Sequence, residues 1–226
     1  LGEPIRVAIL DDHQSIIDGY YYRLEKDPAI KIVGAAHTGA EFEALLAQQP
    51  ADVVLLDLSV PTSAENSSPY PILFVIPQLQ QRYPSLAVLV ISMLSEPALV
   101  KAVLDAGASG YILKDDLTTI QALAAVIVAV AGGGVHFSAQ VYQQLQRRVG
   151  GAPVLTRRQL AALSLCAAYP GETLAHLAGL LGVTESTVRN LLSGAYERLG
   201  VRNRAEAVQK ARELRLITPL PPTGLS

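Results

Sequence analysis

Residues 53–57 read Val53-Val54-Leu55-Leu56-Asp57, four branched aliphatic side chains in a row closed by a carboxylate. A run this short and this apolar fits a strand buried on both faces. Working outward, comparable runs at 5–10, 31–36, 87–91 and 110–113 make five strands. Helical spacing fills the gaps at 14–26, 41–49, 72–83 and 97–106, and a fifth helical pattern at 117–131 closes the series. Strands joined by helix-length crossovers form a parallel sheet with helices on both faces. The first half of the chain is therefore expected to be a doubly wound α/β domain.

In an open sheet of this kind ligands collect in the crevice outside the carboxyl ends of the strands. Asp11 and Asp12 follow the first strand, Asp57 the third, Ser92 the fourth and Lys114 the fifth. Taken singly each is ordinary. An Asp after a strand is commonly a turn or capping residue, and a Lys beside Asp115 and Asp116 is commonly a solvated ion pair. Their convergence at one edge of one sheet asks for more. Three carboxylates repel one another unless a hard cation takes their oxygens, and Mg2+ does so while keeping waters for a phosphate. With Mg2+ and the Lys114 ammonium neutralising a transferring phosphoryl group, Asp57 can attack it in line and Ser92 can donate a hydrogen bond to the product. Tyr111, by position alone, is a strand aromatic.

Half of the 226 residues are apolar, so a sizeable core is expected. The longest apolar stretch, 122–135, ends in three glycines and falls short of the roughly 20 residues of a membrane span. The first residues lack the basic-then-apolar layout of a secretory signal, so a cytoplasmic protein without a membrane partner is expected. The single cysteine, Cys166, can form neither an internal disulfide nor a thiolate cluster and reads as buried filler. Nine basic against fifteen acidic residues up to Gly150 give −6, and nine against five after it give +4. An acidic half suits divalent cations, and a mildly basic one suits a polyanion such as DNA.

Asp11-Asp12-His13, the strand ending at Asp57, Ile91-Ser92 and Gly110-Tyr111-Ile112-Leu113-Lys114-Asp115 resemble the receiver domain of response regulators, over residues 4–131. The resemblance implies a flavodoxin-like five-stranded sheet, with Asp57 as phosphoacceptor. It implies Asp11, Asp12, Asp57 and the main-chain carbonyl of Ser59 as Mg2+ ligands. Ser92 and Tyr111 take the place of the two switch residues, and Lys114 that of the phosphoryl contact. Phosphorylation is then expected to alter the surface formed by 97–106, 110–113 and 117–131. One stretch departs from the pattern: after Pro61 the family has a short turn, whereas residues 62–71 are longer, polar and proline-rich, as in some regulators similar to the capsule regulator RcsB.

After residues 132–134, all glycine, a polar helical segment at 138–148 leads to Gly150-Gly151-Ala152-Pro153, a composition suited to an interdomain joint. Four helices are expected beyond it, beginning near Thr156, Glu172, Thr184 and Asn203. Leu180-Leu181-Gly182-Val183-Thr184 joins two of them through a tight turn, the layout of a helix-turn-helix, and Glu185-Ser186-Thr187-Val188-Arg189-Asn190 opens the second. Arg and Asn suit bidentate contacts to guanine and adenine, while Val188, Leu191, Leu192 and Leu199 hold the inner face.

Leu155-Thr156-Arg157-Arg158, 184–188, Leu199-Gly200-Val201 and 204–208 are similar to the four-helix LuxR-type module, over residues 154–216, and mark a resemblance to the NarL/FixJ class. That resemblance implies Arg189, Asn190 and Ser193 as base readers and Thr156, Thr184, Ser186, Arg202 and Arg204 as phosphate contacts. Gln159 stands where the family commonly has Glu and Leu191 where it often has His. Gly194 interrupts the recognition helix at a cost near 1 kcal/mol relative to Ala.

The expected organisation is a receiver at 1–131, a linker with a helical segment at 132–153, a helix-turn-helix domain at 154–217 and a disordered tail at 218–226. The expected function is a phosphorylation-dependent transcriptional regulator, partnered by a sensor histidine kinase and binding paired DNA half-sites as a homodimer. Two alternatives stand beside it: a phosphorylation-independent regulator or adaptor with a degenerate DNA-binding domain, and an aspartyl phosphatase. The last typically needs an acid two residues after its nucleophile, and position 59 is Ser.

Overall fold

The computed structural model describes residues 3–146 and 155–220. Strands β1 (Ile5–Leu10), β2 (Ile30–Ala36), β3 (Val53–Leu56), β4 (Ala87–Ser92), β5 (Gly110–Leu113) and β6 (His136–Phe137) form one parallel sheet in the order β2-β1-β3-β4-β5-β6. Helices α1 (Gln14–Leu24), α2 (Gly39–Gln48), α3 (Ile72–Arg82), α4 (Pro97–Ala106), α5 (Leu117–Gln121), α6 (Leu123–Ala131) and α7 (Ala139–Gln146) accompany it. Successive strand residues face opposite layers. Val7, Ile9, Val53, Leu55, Leu89, Ile91 and Ile112 pack with Ile17, Leu24 and Ile127 on one side, whereas Ala8, Leu10, Val54, Leu56, Val88 and Val90 pack with Phe42, Ile76 and Val103 on the other.

Two elements differ from the sequence reading. The sheet has six strands rather than five, because His136–Phe137, expected in the linker, lies beside Gly110 and Tyr111. A β-carbon at Gly110 would stand 2.4 Å from the His136 carbonyl oxygen, so the bare backbone admits the extra strand. Buried Ser138 fixes it further, its hydroxyl accepting from Leu113 N at 3.0 Å. The helix expected over 117–131 is broken at Ala122, whose N–H is shared between the carbonyls of Thr118 and Thr119 at 3.2 and 3.1 Å. Asp116 tightens the preceding turn by accepting from both the backbone and the hydroxyl of Thr119. The expected joint at 150–153, the end of the helix expected over 138–148 and the tail beyond Leu220 lie outside the described residues. Thr218, grouped with the tail, is buried.

The long connection after Pro61 is a compact hairpin. Both the backbone N–H and the hydroxyl of Thr62 donate to the Ser68 carbonyl, and Ser63 and Asn66 close the turn. Tyr70 anchors it: the ring is buried, and the hydroxyl donates to Glu43 Oε1 at 2.7 Å. The ring lies against the first residue of α2, where a β-carbon on Gly39 would stand 2.1 Å from it. A packed tyrosine has nowhere to move. Gly39→Ala is therefore expected to destabilise the chain by about 1–3 kcal/mol, read from the urea midpoint, and an unchanged midpoint would contradict this packing.

The second unit consists of α8 (Arg157–Ala168), α9 (Leu174–Leu181), α10 (Glu185–Leu199) and α11 (Arg204–Glu213). Each starts at a residue whose side chain accepts an N-terminal backbone N–H: Thr156, Thr173, Thr184 and Asn203. Gln159 completes a capping box with Thr156. A β-carbon at Gly194 would stand 2.8 Å from the Gln159 amide nitrogen, so two departures from the family pattern fit each other.

The two units share one apolar cluster. It continues from the sheet face under α3 and α4 into Leu163, Leu165, Leu177, Val188 and Leu192 of the helical unit. Helix α8 packs on α3 and α4. Polar ties surround the junction: Asn66 donates to the Ala168 carbonyl at 2.8 Å, and Arg215 pairs with Glu96 at 3.5 Å.

Candidate functional site

The sheet brings the ends of β1, β3, β4 and β5 to one edge. Asp57 N donates to Leu10 O, and Lys114 N donates to Ser92 O, which carries the strand register one residue into the crevice. Lys114 Nζ lies 2.7 Å from Asp11 Oδ2 and 2.8 Å from Asp57 Oδ2, and all three side chains are buried or nearly so. Burial pushes the Asp11 carboxyl above its usual range, although Lys114 pulls the other way. Burial also works against the Lys114 ammonium, but Asp57 and Asp11 outweigh it and hold the charge. Asp57 Oδ1 is buried and has no hydrogen-bond partner.

Asp11, Asp12 and His13 each offer a ligand atom within 4.8 Å of the others. Asp11 Oδ1 accepts from His13 N at 3.0 Å, and the His13 ring meets Asp12 Oδ1 at 2.7 Å. The His13 ring is not among the ligands expected from the sequence, where its adjacency to the acid pair is the signal for it. Ser59, two residues beyond Asp57, is half-buried. The carboxylates of Asp11 and Asp12 are hard, acidic donors beside Asp57, which fits a divalent cation such as Mg2+.

Ser92 and Tyr111 meet at one residue, Leu94, on its two flanking peptide groups. Ser92 Oγ accepts from Leu94 N at 3.3 Å, and the Tyr111 hydroxyl donates to Leu94 O at 2.6 Å. Both residues are fully buried, so Tyr111 is a core residue with its hydroxyl engaged. Met93, between them in the loop, is exposed.

On α10, Arg189, Asn190 and Ser193 are exposed, as are Thr184 and Ser186 at its start, while Val188, Leu192 and Leu199 are buried. The helix packs on α8, α9 and α11. Arg189 is held by Glu185 at 2.7 Å, one turn back. The Thr184 hydroxyl is shared by Ser186 and Thr187 at 2.9 Å each. Thr156 and Arg202 are exposed at the starts of α8 and α11. Arg204 is turned onto the helical unit itself, donating to the Glu172 carbonyl at 2.5 Å.

Residues 7–125 match the response regulator receiver domain, and residues 153–211 match the bacterial regulatory proteins of the luxR family. The chain belongs to the response regulators. Within them it is of the NarL/FixJ type, a transcriptional regulator joining a receiver to a LuxR-type DNA-binding domain. It is 32% identical to the probable transcriptional regulatory protein NarL of Mycobacterium tuberculosis, covering 95% of this chain and 97% of that one. It is 31% identical to the nitrate/nitrite response regulator protein NarP of Escherichia coli, covering 90% and 93%. RcsB of Salmonella enterica serovar Typhimurium, solved on promoter DNA with the phosphomimetic BeF3−, superposes with a TM-score of 0.60 at 25% identity, covering 92% of this chain and 98% of that one. Among the described residues no helix is long and apolar enough to cross a membrane.

Proposed function

We propose that this chain is the cytoplasmic output of a two-component system, in which phosphoryl transfer to Asp57 from a sensor histidine kinase or a small phosphodonor drives homodimeric binding to paired half-sites on double-stranded DNA. The observation that carries the reading is the Asp57 carboxylate itself. Lys114 neutralises Oδ2 at 2.8 Å, while Oδ1 is buried and unpartnered, a nucleophile with a free lone pair. Asp11, Asp12, Asp57 and the Ser59 carbonyl are the residues that would hold Mg2+, which supplies charge neutralisation to the phosphoryl oxygens when bound.

Asp57 Oδ1 forms its bond to phosphorus as the P–N bond of a phosphohistidine, or the P–O bond of an acyl phosphate, breaks. The leaving group keeps the electron pair, and the imidazole takes up a proton. The Lys114 ammonium remains to offset the added negative charge. Ser92 then turns its hydroxyl from acceptor of Leu94 N to donor towards the phosphoryl oxygen. That change releases the N–H of Leu94, whose carbonyl the Tyr111 hydroxyl holds, so the backbone at Leu94 links Ser92 to Tyr111. Ser59 offers no carboxylate to protonate a leaving alcohol, which disfavours turnover of outside phosphate esters.

At the DNA, Arg189, Asn190 and Ser193 read base edges, and Thr156, Thr184, Ser186 and Arg202 contact phosphates, whereas Arg204, expected among them, is engaged with the Glu172 carbonyl. Arg189 must leave Glu185 to reach a base. Arg189→Ala is expected to weaken binding to the preferred operator by about 1–3 kcal/mol and to flatten discrimination at one base-pair position. Titration against operator variants measures both; equal losses on every sequence would make Arg189 a phosphate contact instead. The overall reading is tested by salt-dependent binding to promoter fragments with and without acetyl phosphate and Mg2+. Tighter binding after phosphorylation is expected, and identical isotherms would leave a phosphorylation-independent regulator.

A further inference from the structure

A cavity of about 640 Å³ opens between the hairpin that follows Asp57 and the helical unit. Ser68 of the hairpin lines it on the receiver side; Cys166, Val208, Arg204 and Arg212 line it from α8 and α11. The volume falls in the range of pockets that hold small organic ligands. Its chemistry is two-sided, with an apolar floor beside two guanidinium groups.

Those guanidiniums are under-compensated. Among the described residues neither has a carboxylate partner: Arg204 donates to the Glu172 carbonyl, and Arg212 makes a 3.4 Å contact to the Ala167 carbonyl. The Arg212 Nε is buried and has no hydrogen-bond partner. The end of α8, where Ala167 lies, contributes about half a negative charge against two positive ones. Glu213 also borders the cavity, but Lys210 and Gln209 already engage it. Part-buried guanidiniums with unused donors are suited to a carboxylate or phosphate, which they bind through charge-assisted hydrogen bonds. DNA phosphate is a poor occupant, because no residue of α10 lines the cavity and Ser68 of the receiver borders it.

We propose that this cavity is a binding site for a small anionic amphiphile, a carboxylate or phosphate monoester with a short apolar chain, held by Arg204 and Arg212. Its apolar part lies on Cys166 and Val208, and its presence adds a bridge beside the Asn66 to Ala168 contact between the receiver and the helical unit. The chain then has a chemical input independent of Asp57.

Cys166 reports on the site without engineering, since it is the single cysteine and it is buried. Burial pushes its thiol up to about 11, so its alkylation is slow and depends on exposure. The experiment follows N-ethylmaleimide labelling of the full chain in octanoate, octyl phosphate or neutral octanol, together with the thermal midpoint. At an anion concentration ten times its Kd, labelling should slow about tenfold and the midpoint should rise, with octanol having far less effect. Arg212→Gln should remove the anion's advantage over octanol, and Val208→Trp, which fills the cavity, should remove protection by all three. Protection by neither anion, or equal protection in Arg212→Gln, overturns the proposal. Loss of phosphorylation in Asp57→Asn should leave octanoate protection unchanged, which separates this site from the acidic crevice.

Discussion

Asp57→Asn is expected to gain no phosphoryl group from acetyl phosphate and Mg2+, whereas the wild-type chain gains one adduct by intact mass and shifts towards the dimer on size-exclusion chromatography. The effect is complete because the amide has lost the anionic oxygen that bonds to phosphorus, while its size and the strand around it are unchanged. The neighbouring acids make the test discriminating. Asp11 is as deeply buried and touches the same lysine, so an adduct persisting in the variant would move the acceptor to the end of β1.

Lys114→Ala is expected to have the largest effect on stability. It leaves Asp11 and Asp57 facing one another at the buried sheet edge without the ammonium that lies 2.7 and 2.8 Å from them. Removing one partner of a buried ionic group costs about 3–5 kcal/mol. In EDTA the urea midpoint should fall accordingly, and Mg2+ should recover much of the loss by taking the lysine's place between the carboxylates. The pH dependence has a definite sign. Burial already raises the folded-state Asp11 carboxyl above its unfolded value, and loss of Lys114 raises it further. A raised acid favours the fold below its unfolded value, and that advantage is lost as pH rises through the folded one. The deficit should therefore be smaller at about pH 5 than at about pH 8. A deficit that is the same with and without Mg2+ would mean that the crevice does not hold a cation.

The acidic edge was legible because it depends on local facts: which residue follows which strand, and that parallel strands end together. Asp11, Asp57, Ser92 and Lys114 could be assembled on paper from strand periodicity alone. What escaped depends on approach between distant segments. A two-residue strand at His136 carries no periodicity, and only the bare backbone of Gly110, 26 positions earlier, makes room for it. Gly194 reads as a helix defect until Gln159 is seen in the space it leaves. The break at Ala122 arises from how the carbonyls of two threonines share one N–H, a contest that residue types do not decide. The hairpin after Pro61 could be seen as extra chain, but its tie to Ala168 spans 102 residues and no local pattern announces it.

The apolar cluster that runs unbroken from the sheet into the helical unit bears on how the chain melts. Units that meet through a polar, hydrated surface tend to unfold one at a time, whereas units sharing a dry interior lose structure together. Calorimetry of the intact chain should then show a single cooperative heat-absorption peak. A chain severed between the units would leave the α3 face and the α8 face each without its cover, and two fragments prone to sticking in place of one well-behaved protein.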